Sequence, residues 1–276
     1  MTSPLADPDC PRCSGTGWVR VADGAAGAAV ACECRKTRLG PALLASAGVP
    51  PRYARCTFEN FETRRGREVH QVLAQARAAC EQYVDNYFSL EGRTDNGLIL
   101  IGRPGVGKTH LAVATLKQLV EKYQVRGRFL DFSSFLMRLQ ATFDPSSPES
   151  KHQLLDPVLD AELLVFDELA AQKPTPFVQD LLYLIINGRY SGRKPTIFTT
   201  NFLLKEEKSA PAPRGGEEFT TPHAFDLSRR ESRHDLLSER LPVALVSRIR
   251  EIARPVEIAA EDFRPLVRRR RLESIS

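Results

Sequence analysis

The strongest constraint on this chain of 276 residues is a glycine-rich segment, Gly102–Thr109, that directly follows the apolar run Leu98–Ile101. The segment has the pattern G-x-x-x-x-G-K-[ST], whose glycines allow successive backbone N–H groups to curl around a polyphosphate. Lys108 can then reach the β and γ phosphates, the Thr109 hydroxyl is a ligand for magnesium, and the following helix would present its positive N-terminal end to the same anion. The strand–loop–helix context argues against a chance glycine-rich turn. We predict a nucleotide site lined by Gly102, Pro104, Gly105, Val106, Gly107, Lys108, Thr109 and His110.

A second apolar run, Leu163–Phe166, ends in the two carboxylates Asp167 and Glu168. Ligands of parallel sheets bind at the carboxyl ends of the strands, where these two side chains would lie. We expect Asp167 to hold magnesium, directly or through water, and Glu168 to act as the general base on the attacking water. A solvated acidic turn is the simpler interpretation of the pair alone. The phosphate-binding loop earlier in the chain favours the catalytic interpretation.

A third run, Thr196–Thr199, leads to Asn201, which is placed to hydrogen-bond the attacking water or the γ phosphate. Thr199 and Thr200 are interpreted as strand caps. Strands and helices alternate from Leu98 to Ile258, which predicts an α/β fold with a parallel sheet covered by helices on both faces.

Composition and charge exclude few classes of function. The chain is 42% hydrophobic and 26% charged with a net charge of +5, which is compatible with nucleic-acid contact but does not require it. It has no run of about 18 apolar residues and no basic-then-apolar leader, so we expect a cytoplasmic protein with no membrane contact.

Four of the six cysteines are closely paired, and they predict a zinc-binding module. A C-x₂-C pair and a C-x-C pair are separated by eighteen residues, and disulfides are disfavoured in a reducing compartment. Four thiolates suit structural, tetrahedral Zn²⁺, with two short strands between the pairs, at Trp18–Val21 and Ala29–Ala31. A disordered leader with incidental cysteines is the alternative. The predicted zinc ligands are Cys10, Cys13, Cys32 and Cys34.

Four motifs together resemble the helicase loaders of the DnaC/DnaI family and the related IstB transposition ATPases, within the AAA+ superfamily. They are Gly107–Ala112, Leu164–Leu169, Asn187–Tyr190 and Thr199–Asn201. The resemblance implies an AAA+ ATPase in which Lys108 and Thr109 belong to Walker A, Asp167 and Glu168 to Walker B, and Asn201 is sensor 1. It also implies ATP hydrolysis and, because the N-terminus is cysteine-rich as in loaders, binding of a hexameric replicative helicase through that module.

Members of this family complete the site with an arginine from a neighbouring subunit, which implies self-association through the ATPase domain. Arg248 matches the family segment best, and on a helix it lies about 60° from the apolar residue Leu245, beside the buried edge. Arg240, just before Pro242, is the second candidate, and an ordinary solvated arginine remains an alternative.

Loaders hold single-stranded DNA with extra helical structure between the second strand and the Asp-Glu strand. The corresponding residues here are Arg138, Lys151 and His152 for phosphate and Phe135 for stacking, although Phe135 has the spacing of a core residue. The arginine-rich end of the chain is either a phosphate contact or a solubilising tail.

The domain organisation follows from these motifs and from the segments rich in Pro and Gly. The linker is expected to break at Gly40-Pro41 and at Gly48–Pro51, with a short helix between them, and a helix is predicted at Arg67–Tyr87. Eighteen residues follow Ile258, so we expect no C-terminal lid. The predicted segments are a zinc module (1–40), a linker and helical segment (41–94), an AAA+ domain (95–264) with a mobile insertion (205–235), and a basic tail (265–276).

The sequence thus predicts an ATP-dependent loader that binds a replicative helicase and single-stranded DNA and hydrolyses ATP to release the helicase. Two alternatives remain open at this point. One is an IstB-like transposition helper ATPase, and the other is a nucleotide-gated adaptor without significant turnover.

Overall fold

A parallel sheet and an N-terminal hairpin organise the part of the chain that the computed structural model describes. In the hairpin, β1 (Trp18–Arg20) pairs antiparallel with β2 (Ala29–Ala31), so the two predicted zinc-module strands are confirmed. The described residues are 7–20, 29–65, 68–90, 92–144, 146–171, 174–204 and 236–263.

The first helix, α1 (Glu33–Ser46), corrects the prediction of a break at Gly40-Pro41, because both residues lie inside it. Tertiary packing outweighs the local signal: α1 packs against the helix that follows the phosphate loop, and Leu43 and Leu44 join the core there. The chain leaves the helix at Gly48, whose φ of 74° favours glycine. The helix also crosses the boundary predicted between residues 40 and 41.

The segment before the main sheet contains a 3₁₀ helix at Pro51–Tyr53, then β3 (Arg64–Arg65) and β4 (Glu68–Val69), then α2 (Gln71–Asp85). The prediction of a helix from Arg67 is therefore wrong by four residues at its start. Val69, inside the predicted helix, belongs to a strand and is 51% exposed. The His70 N–H donates to the Thr63 carbonyl, which closes the short hairpin ahead of the helix.

From residue 97 onward strands and helices alternate, as predicted. The elements are β5 (Gly97–Gly102), α3 (Lys108–Tyr123), β6 (Gly127–Asp131), α4 (Phe132–Ala141), α5 (Lys151–Asp160), β7 (Leu163–Asp167), α6 (Pro176–Ser191), β8 (Thr196–Thr200), α7 (Leu237–Arg240), α8 (Val243–Ile252) and β9 (Ala253–Ile258). A 3₁₀ turn at Tyr87–Leu90 precedes β5.

Five of these strands form one parallel sheet in the order β6-β7-β8-β5-β9. The alternation of β5 divides the core: Leu98 and Leu100 face α1, α2 and α3, whereas Ile99 and Ile101 face α4, α5, α6 and α8. Helices therefore cover both faces, which confirms the predicted α/β class. The carboxyl ends of β5, β7 and β8 meet at one edge, where the polar motifs lie.

Two predicted segments, the insertion at 205–235 and the basic tail at 265–276, lie outside the described residues, and so does the question of a C-terminal lid. Among the helices that the model describes, none is long and apolar enough to cross a membrane.

Candidate functional site

The glycine-rich segment forms a tight loop between β5 and α3. Gly105 and Gly107 have φ angles of 86° and 91°, in the left-handed region where a side chain is strained. A Cβ on Gly107 would also lie 2.6 Å from the Phe61 ring, and one on Gly105 would collide with the Asp262 carboxylate. Glycine is therefore required at both positions by conformation and by space, and the loop stays close to its neighbours.

The Lys108 ammonium lies in the hollow of this loop and is nearly buried. Its Nζ donates to the carbonyl oxygens of Gly102 at 2.8 Å and Arg103 at 2.9 Å, and to Asn201 Oδ1 at 2.7 Å. The last bond joins the end of β8 to the start of α3, so Asn201 and Lys108, which are 93 positions apart in the chain, share one site.

The end of β7 places Asp167 beside the loop. Asp167 Oδ1 accepts hydrogen bonds from the hydroxyls of Thr109 at 2.9 Å and Thr199 at 2.6 Å. Burial raises the pKa of Asp167, and these two hydrogen bonds oppose the increase. A hydroxyl and a carboxylate in contact are the oxygen ligands that Mg²⁺ uses beside a nucleotide phosphate, so the donor set fits that cation.

Glu168 follows in a left-handed conformation, with φ 60°, and its N–H donates to Thr199 Oγ1 at 2.9 Å. This turn directs the chain so that Glu168 is exposed at the cavity while Asp167 is buried. The two adjacent carboxylates thus have different environments, as expected if Asp167 holds a metal ion and Glu168 acts as a base.

A cavity of about 210 Å³ lies where these elements meet. Its lining residues are Arg52, Tyr53, Pro104, Gly105, Gly107, Lys108, Thr109, His110, Glu168, Thr199, Thr200 and Asn201. A larger cavity of about 400 Å³ adjoins it across Asn201 and is bordered by Gly102, Arg103 and the segment after β9.

Three predicted residues are placed differently from the rest. His110 borders the smaller cavity, but its Nε2 hydrogen-bonds to the Thr57 carbonyl oxygen at 2.8 Å, and burial lowers its pKa. Arg248 and Arg240 are not among the residues that line the cavity. The Arg248 guanidinium lies 4.7 Å from the centre of the Tyr183 ring and 5.8 Å from that of Tyr190.

Arg248 also has an unsatisfied group. Its Nη1 is buried and has no hydrogen-bond partner in the described part of the chain. Arg240, at the end of α7, lies 4.7 Å from the centre of the Phe202 ring. Both arginines thus contact aromatic rings and do not line the cavity of their own chain.

Sequence reasoning missed four residues of the cavity: Arg52, Tyr53, Thr199 and Thr200. Thr199 was interpreted as a cap, although it lies two positions before Asn201 on a strand and so shares its face, a signal that was available. Arg52 and Tyr53 come from the 3₁₀ helix ahead of the sheet, and no motif pointed to them. Burial raises the pKa of Tyr53, Arg52 opposes the increase, and the carboxylates of Asp167 and Glu168 add to it.

The four paired cysteines come together at the hairpin. All four Sγ atoms lie within 4.8 Å of one another, with Cys10–Cys32 at 3.7 Å and Cys13–Cys34 at 3.4 Å. Tetrahedral zinc with Zn–S bonds of about 2.3 Å needs S–S separations of about 3.8 Å, so the cluster has the size of a Zn²⁺ site. The Gly17 N–H points at Cys13 Sγ at 3.3 Å, as expected beside a metal-bound thiolate.

The sheet order, the phosphate loop and the acidic strand end define a P-loop nucleotide-binding protein. A family model described as IstB-like ATP binding protein matches residues 34–210. The chain therefore belongs to the family of IstB-like ATP-binding proteins, with an AAA+ fold, and the resemblance inferred from the motifs is confirmed.

Individual relatives agree with this assignment. The chain is 26% identical over 180 residues to the uncharacterized protein YqaM of Bacillus subtilis, matching 63% of this chain and 55% of YqaM. It is 28% identical over 162 residues to the replicative helicase loader DnaC of Escherichia coli K12, matching 58% of this chain and 60% of DnaC. A crystal structure of the DnaC helicase loader superimposes with a TM-score of 0.56 and 30% identity, covering 76% of this chain and 99% of that one. The chain thus spans 55–60% of the length of these two curated relatives.

Proposed function

We propose that this protein is an ATP-hydrolysing helicase loader, which binds a hexameric replicative helicase and single-stranded DNA and uses hydrolysis to release the helicase. The observation that carries the ATPase part is the contact of buried Asp167 with Thr109, which lines a cavity together with Lys108, Glu168 and Asn201. The loader part is supported by the likeness to the DnaC helicase loader, in sequence and in structure.

Each residue has a role that its position supports. Lys108 would exchange its carbonyl and amide acceptors for β- and γ-phosphate oxygens, which are stronger acceptors for an ammonium group. Thr109 and Asp167 would hold Mg²⁺, whose charge offsets that of the phosphates. Asn201 would then be free to orient the attacking water.

Glu168 is the proposed base. As water attacks the terminal phosphorus, Glu168 takes its proton, the bond to the bridging oxygen breaks, and ADP and phosphate leave. Its exposure at the cavity leaves the carboxylate accessible to that water.

Self-association would complete the site. Arg248 does not line the cavity of its own chain, so its proposed place of action is a neighbouring site. Its Nη1 is buried without a hydrogen-bond partner in the described residues, so the guanidinium would turn outward to make that contact. Arg240 is the second candidate. We propose a spiral or ring in which α8 of one chain faces the cavity of the next.

Single-stranded DNA is proposed to contact the surface of α4 and α5. Arg138 there pairs with Glu149, Lys151 Nζ lies 4.5 Å from the centre of the Phe143 ring, and His152 is exposed. Phe135 is buried in the core and cannot stack on a base. The exposed Phe143 replaces it as the stacking candidate.

The cysteine cluster is proposed to hold one structural Zn²⁺ and, through its hairpin, to bind the helicase. Metal analysis of the full chain should give one zinc per chain, lost in Cys10→Ser and Cys34→Ser but kept in Cys56→Ser, which changes a thiol outside the cluster. The wild-type chain should pull down the replicative hexameric helicase, and Cys10→Ser should not. A helicase that is not retained by the zinc-loaded wild type contradicts the partner assignment.

ATPase assays with and without single-stranded DNA test the enzyme. Wild-type turnover above that of Glu168→Gln supports hydrolysis, and equal values would leave a nucleotide-gated adaptor as the function. The match to the IstB-like family favours a transposition helper as the second candidate. ATP-dependent oligomers that form on duplex DNA in preference to single-stranded DNA would support that role.

A further inference from the structure

Arg52 lies in the nucleotide cavity although it belongs to the segment before the sheet. It is in the 3₁₀ helix Pro51–Tyr53, and it lines the same cavity as Lys108, Thr109 and Glu168. Arg52 and Lys108 are the two lysine or arginine side chains among the residues that line this cavity. Lys108 is the known cation of such loops, so the role of Arg52 is the open question.

The backbone around Arg52 is anchored on both sides. The Tyr53 ring packs against Phe129 on β6, with ring centres 6.2 Å apart. Lys117 on α3 donates its Nζ to the Ala54 carbonyl at 2.9 Å. These contacts attach the 3₁₀ helix to the sheet and to the helix that follows the phosphate loop, so the position of Arg52 relative to the cavity is fixed by packing.

The guanidinium itself is oriented by stacking. It lies 5.0 Å from the centre of the Tyr53 ring, and no carboxylate in the described ranges pairs with it. By contrast Arg77, Arg93, Arg126 and Arg138 each pair with a carboxylate. A stacked guanidinium keeps its N–H groups available in the ring plane, where they suit bidentate contact with phosphate oxygens.

The charges of the site favour a further cation. Asp167 and Glu168 are acidic and a triphosphate adds several negative charges, whereas Lys108 and the proposed Mg²⁺ together supply fewer positive ones. Arg52 lines the cavity together with Thr109 and Glu168, the residues expected at the end of the site where the terminal phosphate would react.

We propose that Arg52 contacts the terminal phosphate of the nucleotide bound to its own chain, with Tyr53 as the residue that positions it. This inference rests on the proposed nucleotide site. It adds a cation supplied in cis by the segment before the sheet, distinct from the arginine that a neighbouring chain supplies. It also gives that segment a way to report whether a triphosphate or a diphosphate is bound.

The test measures dissociation constants of the full chain for a non-hydrolysable ATP analogue and for ADP, both with Mg²⁺. Arg52→Ala should bind the analogue about tenfold more weakly, a loss of about 1.4 kcal/mol. ADP affinity should change less than twofold. Arg52→Lys should recover part of the loss, and Arg55→Ala, an exposed arginine of the same segment outside the cavity, should match the wild type.

Each outcome is decisive. Unchanged affinity of Arg52→Ala for the analogue, or equal weakening of analogue and ADP, overturns the contact with the terminal phosphate. A wild type that binds neither nucleotide overturns the proposed function, and this inference with it. A wild type that binds both normally, with Arg52→Ala unaffected, overturns this inference alone.

A mixing experiment separates action in cis from action across an interface. Arg52→Ala and Lys108→Ala chains are combined, and turnover is compared with that of each protein alone. If Arg52 acts in cis, every site in the mixture lacks one of the two cations and the mixture gains nothing. Turnover above the sum of the separate proteins would place Arg52 at a neighbour's site and overturn the cis assignment.

Discussion

The phosphate-loop cavity holds Lys108, and the surface between α6 and α8 holds Arg248, which is proposed to act on a neighbouring chain. The two regions satisfy the hydrogen-bonding groups of these cations differently. In the cavity Lys108 has three acceptors and Asp167 has two donors, all from the same chain. On the other surface Arg248 stacks on two tyrosines and keeps a buried N–H without a partner in the described residues. Buried donors without partners are costly, so Arg248 is the less well satisfied of the two cations, and its proposed role at a neighbouring site would give it a partner.

The largest expected effect tests this difference directly. Arg248→Ala should reduce ATP turnover about a thousandfold at concentrations where chains assemble, because arginines supplied in trans contribute at least that much. Nucleotide affinity of the dilute chain should be unchanged, since Arg248 does not line its own cavity.

Two variants serve as controls for Arg248→Ala. Arg250→Ala, on the same helix, removes a donor to the Leu204 carbonyl and should affect stability but not turnover. The turnover of Arg240→Ala shows which of Arg248 and Arg240 acts on a neighbouring site. A loss of affinity in dilute Arg248→Ala would contradict the contrast between the two regions.

Glu168→Gln should have the next largest effect. Removing the base should lower turnover about a hundredfold or more, while nucleotide affinity is kept because Lys108 and Thr109 are intact. Glu162→Gln, whose carboxylate pairs with Arg126 before β7, is the matched control. Steady-state turnover and analogue binding measured on the same preparations check the prediction. Equal turnover in both variants would mean that the cavity does not hydrolyse nucleotide.

Thr199→Val tests whether contacts within one chain orient the two carboxylates of the site. The variant removes a donor to Asp167 and an acceptor for the Glu168 N–H, so both carboxylates lose their orientation. We expect turnover to fall about tenfold, a higher Mg²⁺ requirement, and a loss of about 1–2 kcal/mol in the free energy of unfolding.

Thr200→Val is the comparison for Thr199→Val. It loses a donor to the Leu169 carbonyl and an acceptor for the Phe202 N–H, so a similar loss of stability is expected without the change in Mg²⁺ requirement. Magnesium titrations of turnover, with thermal unfolding of both variants, separate the two effects. The same Mg²⁺ dependence in both variants would make Thr199 a structural residue only.

The same contrast explains what the sequence could predict. The strands of the five-stranded sheet, the phosphate loop, Asp167, Glu168 and Asn201 were all expected, because each is marked by a local pattern of apolar residues, glycines or adjacent polar groups. The course of α1 through Gly40-Pro41 and the position of Arg52 were not, because packing against α3 and β6 decides both. Local patterns predict the strands of the sheet and the motif residues. Contacts between distant segments decide the course of α1 and complete the site.

Glu168 shows that a motif can predict a residue type without predicting its orientation. Its position after β7 was evident, but its left-handed backbone and the bond to Thr199 arise from a neighbouring strand that is 31 positions away. The motif gives the residue type, and the second strand gives its orientation.

The smallest expected effect concerns the segment after β9, which crosses the phosphate loop. The Phe263 N–H donates to the Gly105 carbonyl at 3.3 Å, and the exposed Asp262 carboxylate lies against Gly105. A carboxylate there repels an incoming polyphosphate, so Asp262→Asn should tighten analogue binding about threefold at low salt, an effect of the size of exposed charge interactions. The gain should shrink as salt rises, because exposed charges are screened.

Glu261→Gln is the control for removing a charge from the same segment, and it should give a smaller change. If Asp262→Asn weakens binding, the segment is part of the nucleotide site, and the cavity requires more of the chain than the loop and the three strand ends.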